Sequence, residues 1–176
     1  MGTWHNDDEL YIKYGRSEGT STHPAGQFCG SVAGENVAEV TIDLTLLNAT
    51  ETILNDVVVI PANAWITKVE VLTLVAAATG TAIDVGLIDQ DRSTEVDYDG
   101  ILAAFATATM NAVGEVVEFR EVGSTPASIT TQGALVGQEV SNAGYISASR
   151  TDATAFTAGK VKVRVYYISK GLDITG

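Results

Sequence analysis

The stretch KVKVRVYYIS, residues 160–169, repeats with a period of two. Val161, Val163, Val165 and Tyr167 fall on one side, and Lys160, Lys162, Arg164 and Tyr166 on the other. Successive side chains of a β-strand point to opposite faces, so this is the pattern of a half-buried strand. A helix is excluded here, because its apolar positions recur at three and four. The same period governs VAEVTIDLTLL, residues 37–47, with Val40, Ile42, Leu44 and Leu46 against Glu39, Thr41, Asp43 and Thr45. It returns in AWITKVEVLTLVAA, with Lys68 and Glu70 on the even-numbered face, and in TAIDVGLI, where Ile83, Val85 and Leu87 oppose Asp84.

Further strands are expected in ETILNDVVVIP, ended by Pro61, and in GEVVEFREV, ASITTQGALVG and AGYISASR. One segment reads differently. In DGILAAFATATM, Asp99 is placed to cap a short helix that would pair Ile101 with Phe105 and Leu102 with Ala106. The sum is eight or nine strands and at most one short helix, an all-β antiparallel sandwich or jelly roll. Polar residues alternating along the strands argue against a parallel α/β sheet. Seventeen glycines fit many short strands joined by tight turns. The uneven spacing of the runs excludes a solenoid or propeller repeat.

Residues 1–36 lack a sustained period and read as an extended N-terminal arm; residues 37–176 read as the sandwich domain. The arm cannot bury much apolar surface alone, yet it carries Trp4, Tyr11, Ile12 and Tyr14. Such aromatics either anchor on a partner or fold back onto the chain's own sheet.

The net charge of −12 makes nucleic acid a poor partner. The charge is also uneven. Residues 1–149 hold 20 acidic and 5 basic side chains, whereas residues 150–176 hold 2 acidic and 5 basic. An acidic body with a basic edge at Lys160, Lys162 and Arg164 suits docking against copies of itself or a complementary surface. No apolar run approaches the roughly 20 residues of a membrane helix. The first residues show neither the basic start nor the apolar stretch of a secretory leader, so folding in a cytoplasm is expected and NAT at 48–50 is not read as a glycosylation site.

Catalytic signatures are sparse. The two histidines, His5 and His23, stand in the arm, and the single cysteine, Cys29, can form no internal disulfide. GRSEG spells the nucleophile-elbow pattern around Ser17, but an elbow needs a strand before it and a helix after it. LIDQDRSTEVDYDG, residues 87–100, gathers Asp89, Asp91, Glu95, Asp97 and Asp99. Read as a calcium loop from Glu95, it offers Glu95, Asp97 and Asp99 with Gly100 at the sixth place, but Ala106 stands where a bidentate carboxylate is needed. An unbroken strand would turn Asp89 inward with Leu87, so the strand is expected to end or bulge near Ile88. The carboxylates would then lie on a solvated loop, bind a calcium-like ion, or meet bases of a neighbouring subunit.

VVVIPANAWITKVEVLTLVAAATGTAIDVGLID, followed by DYDGILAA, resembles small virion proteins of tailed bacteriophages. AGKVKVRVYYI resembles their closing strand, and the likeness covers about residues 40–170. The resemblance implies a capsid decoration (cement) protein, a β-sandwich or jelly roll that forms trimers on the capsid surface and contacts the major capsid protein. It implies no catalytic residue and no cofactor. A tail, neck or fibre component is the near alternative. A calcium-dependent carbohydrate-binding sandwich, using Trp65, Tyr98, Tyr145, Tyr166 and Tyr167, comes from a different class, as does a sandwich-fold lyase or hydrolase.

Overall fold

The computed structural model describes residues 35–54, 58–120 and 131–169, together with the backbone of Thr3–His5 and Tyr11–Lys13. Those two short segments, β1 and β2, pair antiparallel as a hairpin that joins neither of the other sheets. The remaining strands are β3 (Glu35–Asp43), β4 (Thr52–Ile53), β5 (Val59–Ile60), β6 (Ala64–Ala78), β7 (Ala82–Asp89), β8 (Glu95–Ala106), β9 (Val116–Arg120), β10 (Gly144–Arg150) and β11 (Ala158–Ser169). All described pairings are antiparallel.

One sheet runs β3-β11-β6-β9 and the other β4-β10-β7-β8, with β5 also paired to β10. β4 and β5 therefore occupy one edge position, as two halves of an interrupted strand. With that pair counted once, the two four-stranded layers have the strand order of a jelly roll. The strand count expected from the sequence, and its sandwich class, match this architecture.

Alternation builds the core. Ala38, Val40 and Ile42 of β3, Val161, Val163 and Val165 of β11, and Ile66, Val69 and Val71 of β6 are buried from one sheet. Ile83, Val85 and Leu87 of β7, Ile146 and Ala148 of β10, and Leu102 and Phe105 of β8 meet them from the other. Each such valine, leucine, isoleucine or phenylalanine side chain contributes about 1.5–3 kcal/mol by leaving water. Phe105 and Phe119 tie the sheets together edge to face, with ring centroids 5.8 Å apart and planes at 81°.

Three readings of the sequence are corrected. β3 stops at Asp43, and Leu44–Leu46 form a 3₁₀ turn instead of extending the strand. The Asp43 carboxylate accepts hydrogen bonds from the Thr45 N–H and hydroxyl at 3.1 and 2.7 Å, so Leu44 is buried while Leu46 is 76% exposed. No helix starts at Asp99, because Glu95–Ala106 is a single strand against β7. The helix-like spacing has a local cause. Ile83 pairs with Phe105 and Val85 with Leu102, so Asp84 of β7 alone faces Ala103 and Ala104 of β8. The bulge falls where Ala104 takes φ 47°, and the Asp84 carboxylate accepts the Ala104 N–H at 2.7 Å. The described part of ASITTQGALVG is a chain of turns, not a strand; its residues 131–135 hydrogen-bond along the outer edge of β8.

Candidate functional site

The two outer faces of the sandwich are chemically unlike. On the β3-β11-β6-β9 sheet, strand alternation sets out a lattice of opposite charges. Lys162 Nζ lies 2.7 Å from Glu39, and Arg164 Nε lies 2.7 Å from the other oxygen of the same carboxylate. Lys160 lies 3.5 Å from Asp43. Arg164 also reaches Glu70 at 3.8 Å, and Lys68 joins Glu70 at 2.8 Å to Glu118 at 3.5 Å. Arg120 pairs with Glu118. Tyr166 donates its hydroxyl to Glu70 at 2.7 Å while Lys68 stands 3.9 Å over its ring. Accordingly the carboxyls of Glu39 and Glu70 sit below their ordinary range, Glu39 chiefly through the hydrogen bond from Lys162 and Glu70 through that from Lys68.

The basic edge expected from β11 is therefore present on this face, but each of Lys160, Lys162 and Arg164 is matched by an acid of β3 or β6. Cross-strand registry explains it: Lys160 pairs with Asp43, and Arg164 with Glu39 on one side and Glu70 on the other.

The outer face of the β4-β10-β7-β8 sheet is acidic. Ser149 stands opposite Asp84 in the ladder, and its hydroxyl donates to Glu51 at 2.8 Å. Ser147 stands opposite Gly86 in the next outward row. β8 bulges strongly there, since Leu87 pairs with Asp97 and Val85 with Leu102. The bulge brings the β8 backbone over Gly86, so close that a Cβ at Gly86 would lie 2.0 Å from the Asp97 carbonyl oxygen. Asp97 and Asp99 ride on that bulge.

Three carboxyls of this face, those of Glu51, Asp84 and Asp97, are harder to ionise than usual. Burial pushes up Glu51, and Asp84, Glu95 and Asp99 add to it; burial also raises Asp84, with Asp99 adding. Asp97 is pushed up to about 6, first by burial and then by its hydrogen bond with Asp99. Among the described residues no lysine or arginine forms an ion pair with Glu51, Asp84, Asp97 or Asp99.

The acidic stretch thus divides by function. β7 runs on to Asp89, with its register shifting between Leu87 and Ile88, where a bulge was expected. Asp91 closes the turn, accepting the N–H groups of Ser93 and Thr94 at 2.8 Å and the Thr94 hydroxyl, which hold its carboxyl down at about 2. Glu95, Asp97 and Asp99 lie on a strand, not on a solvated loop. Among the described residues no three histidine, cysteine, aspartate or glutamate side chains converge to hold a metal ion.

Tyr14, Ser17, His23 and Cys29 lie outside the described residues, and Trp4, His5 and Tyr11 are described only in backbone. Sequence reasoning missed Glu51 as a member of the acidic face, for nothing in ETILN marks it. Asp84 carried a signal, as the one charge facing away from Ile83 and Val85.

The sequence matches no protein-family model and no curated protein. Among solved structures, the chain is similar to one titled "Capsid of Ralstonia phage GP4", with 17% identity and a TM-score of 0.47 over 78% of this chain and 86% of that one. A second, "Acidic stable capsid structure of Helicobacter pylori bacteriophage KHP30", has 17% identity and a TM-score of 0.44 over 80% and 92%. A third, "Cyanophage Pam1 capsid asymmetric unit", has 15% identity and a TM-score of 0.43 over 88% and 97%.

Proposed function

We propose that this chain is a non-enzymatic virion structural protein, one that decorates a phage capsid and stabilises it by binding across coat-subunit seams. The observation that carries the reading is the division of the chain into a closed jelly roll and a separate hairpin, β1–β2, that belongs to neither sheet. A two-stranded hairpin of three-residue strands is at best marginal in water. Docked on a neighbouring shell subunit, it would gain the platform it needs, and Trp4, Tyr11 and Tyr14 supply anchoring side chains.

The sequence resemblance to small virion proteins points the same way, and so does a body whose outer surface is given over to charge lattices and turns. The partner in this reading is the major capsid protein, the assembly a homotrimer at the capsid surface. Stabilisation follows from mass action, because a protein that binds only assembled shell favours the shell. Three arms per trimer would multiply a weak contact.

Deleting residues 1–30 and adding the product to undecorated shells tests the proposal. The expected result is a folded body that no longer binds; full-strength binding by the truncated protein would overturn it. The mass of the intact protein in solution checks the trimer.

A further inference from the structure

The outer face of the β4-β10-β7-β8 sheet carries a cost that the fold does not need. Glu51 and Asp84 flank Ser149 in one outward row, and the backbone of Asp97 and Tyr98 overhangs Gly86 in the next, with Asp99 close enough to act on Glu51, Asp84 and Asp97. The charged groups turned toward this patch are Glu51 beside β4, Asp84 of β7, and Glu95, Asp97 and Asp99 of β8. β10 contributes Ser147 and Ser149, and the edge segment 131–135 brings Leu135 against Gly100. Two arginines lie near this sheet, Arg92 in the turn after β7 and Arg150 at the end of β10. Arg92 lies 5.3 Å over the Tyr145 ring, and Arg150 donates to the Ala153 carbonyl at 2.7 Å.

A second observation points outward from the same patch. Ile146 and Ala148 belong to the core, so alternation sends Ser147 to the acidic face along with Ser149. Ser147 is fully buried, and its Oγ has no hydrogen-bond partner among the described residues. One carboxylate oxygen of Glu51, Oε2, is buried and unpartnered in the same way. An unpartnered hydroxyl and an unpartnered carboxylate oxygen beside crowded carboxylates mark a polar patch that favours positive charge.

We infer that this face, centred on Glu51, Asp84, Asp97 and Asp99, is a docking surface for a lysine- or arginine-bearing segment of a partner protein. A bare metal ion fits less well, since the described carboxylates do not converge as ligands. A second copy of the sandwich fits less well too, because Lys68, Arg120, Lys160, Lys162 and Arg164 of its other face are already matched by acids. A cationic segment from a different chain answers the charge gathered by Glu51, Asp84, Asp97 and Asp99. The upward displacement of the Asp97 carboxyl to about 6 agrees with an unmet demand for positive charge. The surface extends the shell-protein reading and rests on it only for the identity of the partner.

Hexalysine serves as the probe, titrated calorimetrically into the full chain at low ionic strength and pH 7.5. Asp97→Asn/Asp99→Asn should weaken its binding about tenfold, and Glu51→Gln/Asp84→Asn should do likewise. Glu39→Gln/Asp43→Asn removes the same formal charge from the opposite sheet and should change it by less than about twofold. Equal losses in all three variants would reduce the effect to net charge and overturn the inference, as would a wild type that does not bind. A melting midpoint raised by calcium alone, in the wild type and not in Asp97→Asn/Asp99→Asn, would make the patch an ion site and overturn it as well. Loss of shell binding with hexalysine binding intact would count against the virion role and leave this surface standing.

Discussion

Asp97 and Asp91 stand six residues apart and pull stability in opposite directions with pH. Asp97 ionises near 6 in the fold against an ordinary 3.8, so its charge costs stability above about 6, and the cost fades as pH falls from 6 towards 3.8. Asp97→Asn should therefore stabilise the protein at pH 7.5 by at most about 1 kcal/mol after solvent screening, and the gain should vanish near pH 4. Thermal melts of both proteins across that range check it. Gly86 gives the opposite lesson. A methyl group there would meet the Asp97 oxygen at 2.0 Å and the Tyr98 carbonyl carbon at 2.3 Å, both backbone atoms that cannot swing away. Gly86→Ala should cost upwards of about 3 kcal/mol, measured by denaturant unfolding, since overpacking against fixed backbone lies at the severe end of single substitutions. Thr73 buries a hydroxyl that finds no partner among the described residues. Thr73→Val should be neutral or stabilising by up to about 1 kcal/mol in the same assay.

At the level of elements, the turn between β7 and β8 depends on one side chain. Asp91 gathers two backbone N–H groups and a hydroxyl, and its carboxyl ionises near 2. A group with a depressed pKa stabilises the fold above its unfolded value and loses that contribution as pH falls through 3.8 towards 2. Asp91→Ala should lower the melting midpoint at neutral pH, and the difference from wild type should shrink in acid. The same region shows how far the sequence could be read. β6, β7 and β11 were legible because one of their faces is core and the other solvent, which writes a period of two into the chain. β8 was not legible. Its bulge spends an extra residue between Leu102 and Phe105, so a strand acquires the three-residue interval of a helix. β3 was legible up to Asp43, where a side-chain cap diverted the backbone. Of the acidic face, the sequence displayed the members adjacent in the chain; Glu51 and Asp84 join them only through the pairing of β10 with β7 and the reach of Ser149.

Among the described residues, the molecule presents a near-neutral lattice on one side and, on the other, an acidic sheet whose Glu51, Asp84, Asp97 and Asp99 form no ion pair. Individual surface ion pairs contribute little, so the lattice matters less for stability than for specifying which surfaces can meet. Removal of residues 1–30 should leave the far-ultraviolet circular dichroism of the sandwich in place, because among the described residues the core begins at Ala38. Collapse of the truncated protein would show that the body depends on the arm. The sheet edges carry a separate consequence. The edge formed by β4 and β5 is interrupted, and that of β8 is covered by hydrogen bonds from residues 131–135. β9 is five residues long with Glu118 at its centre, and β3 sets Glu35, Glu39 and Asp43 along its outward face. Antiparallel self-pairing centred on Glu118 or Glu39 would set like charges opposite each other. Among the described residues, each sheet edge is thus interrupted, covered or charged, which disfavours edge-to-edge pairing of copies crowded together during synthesis.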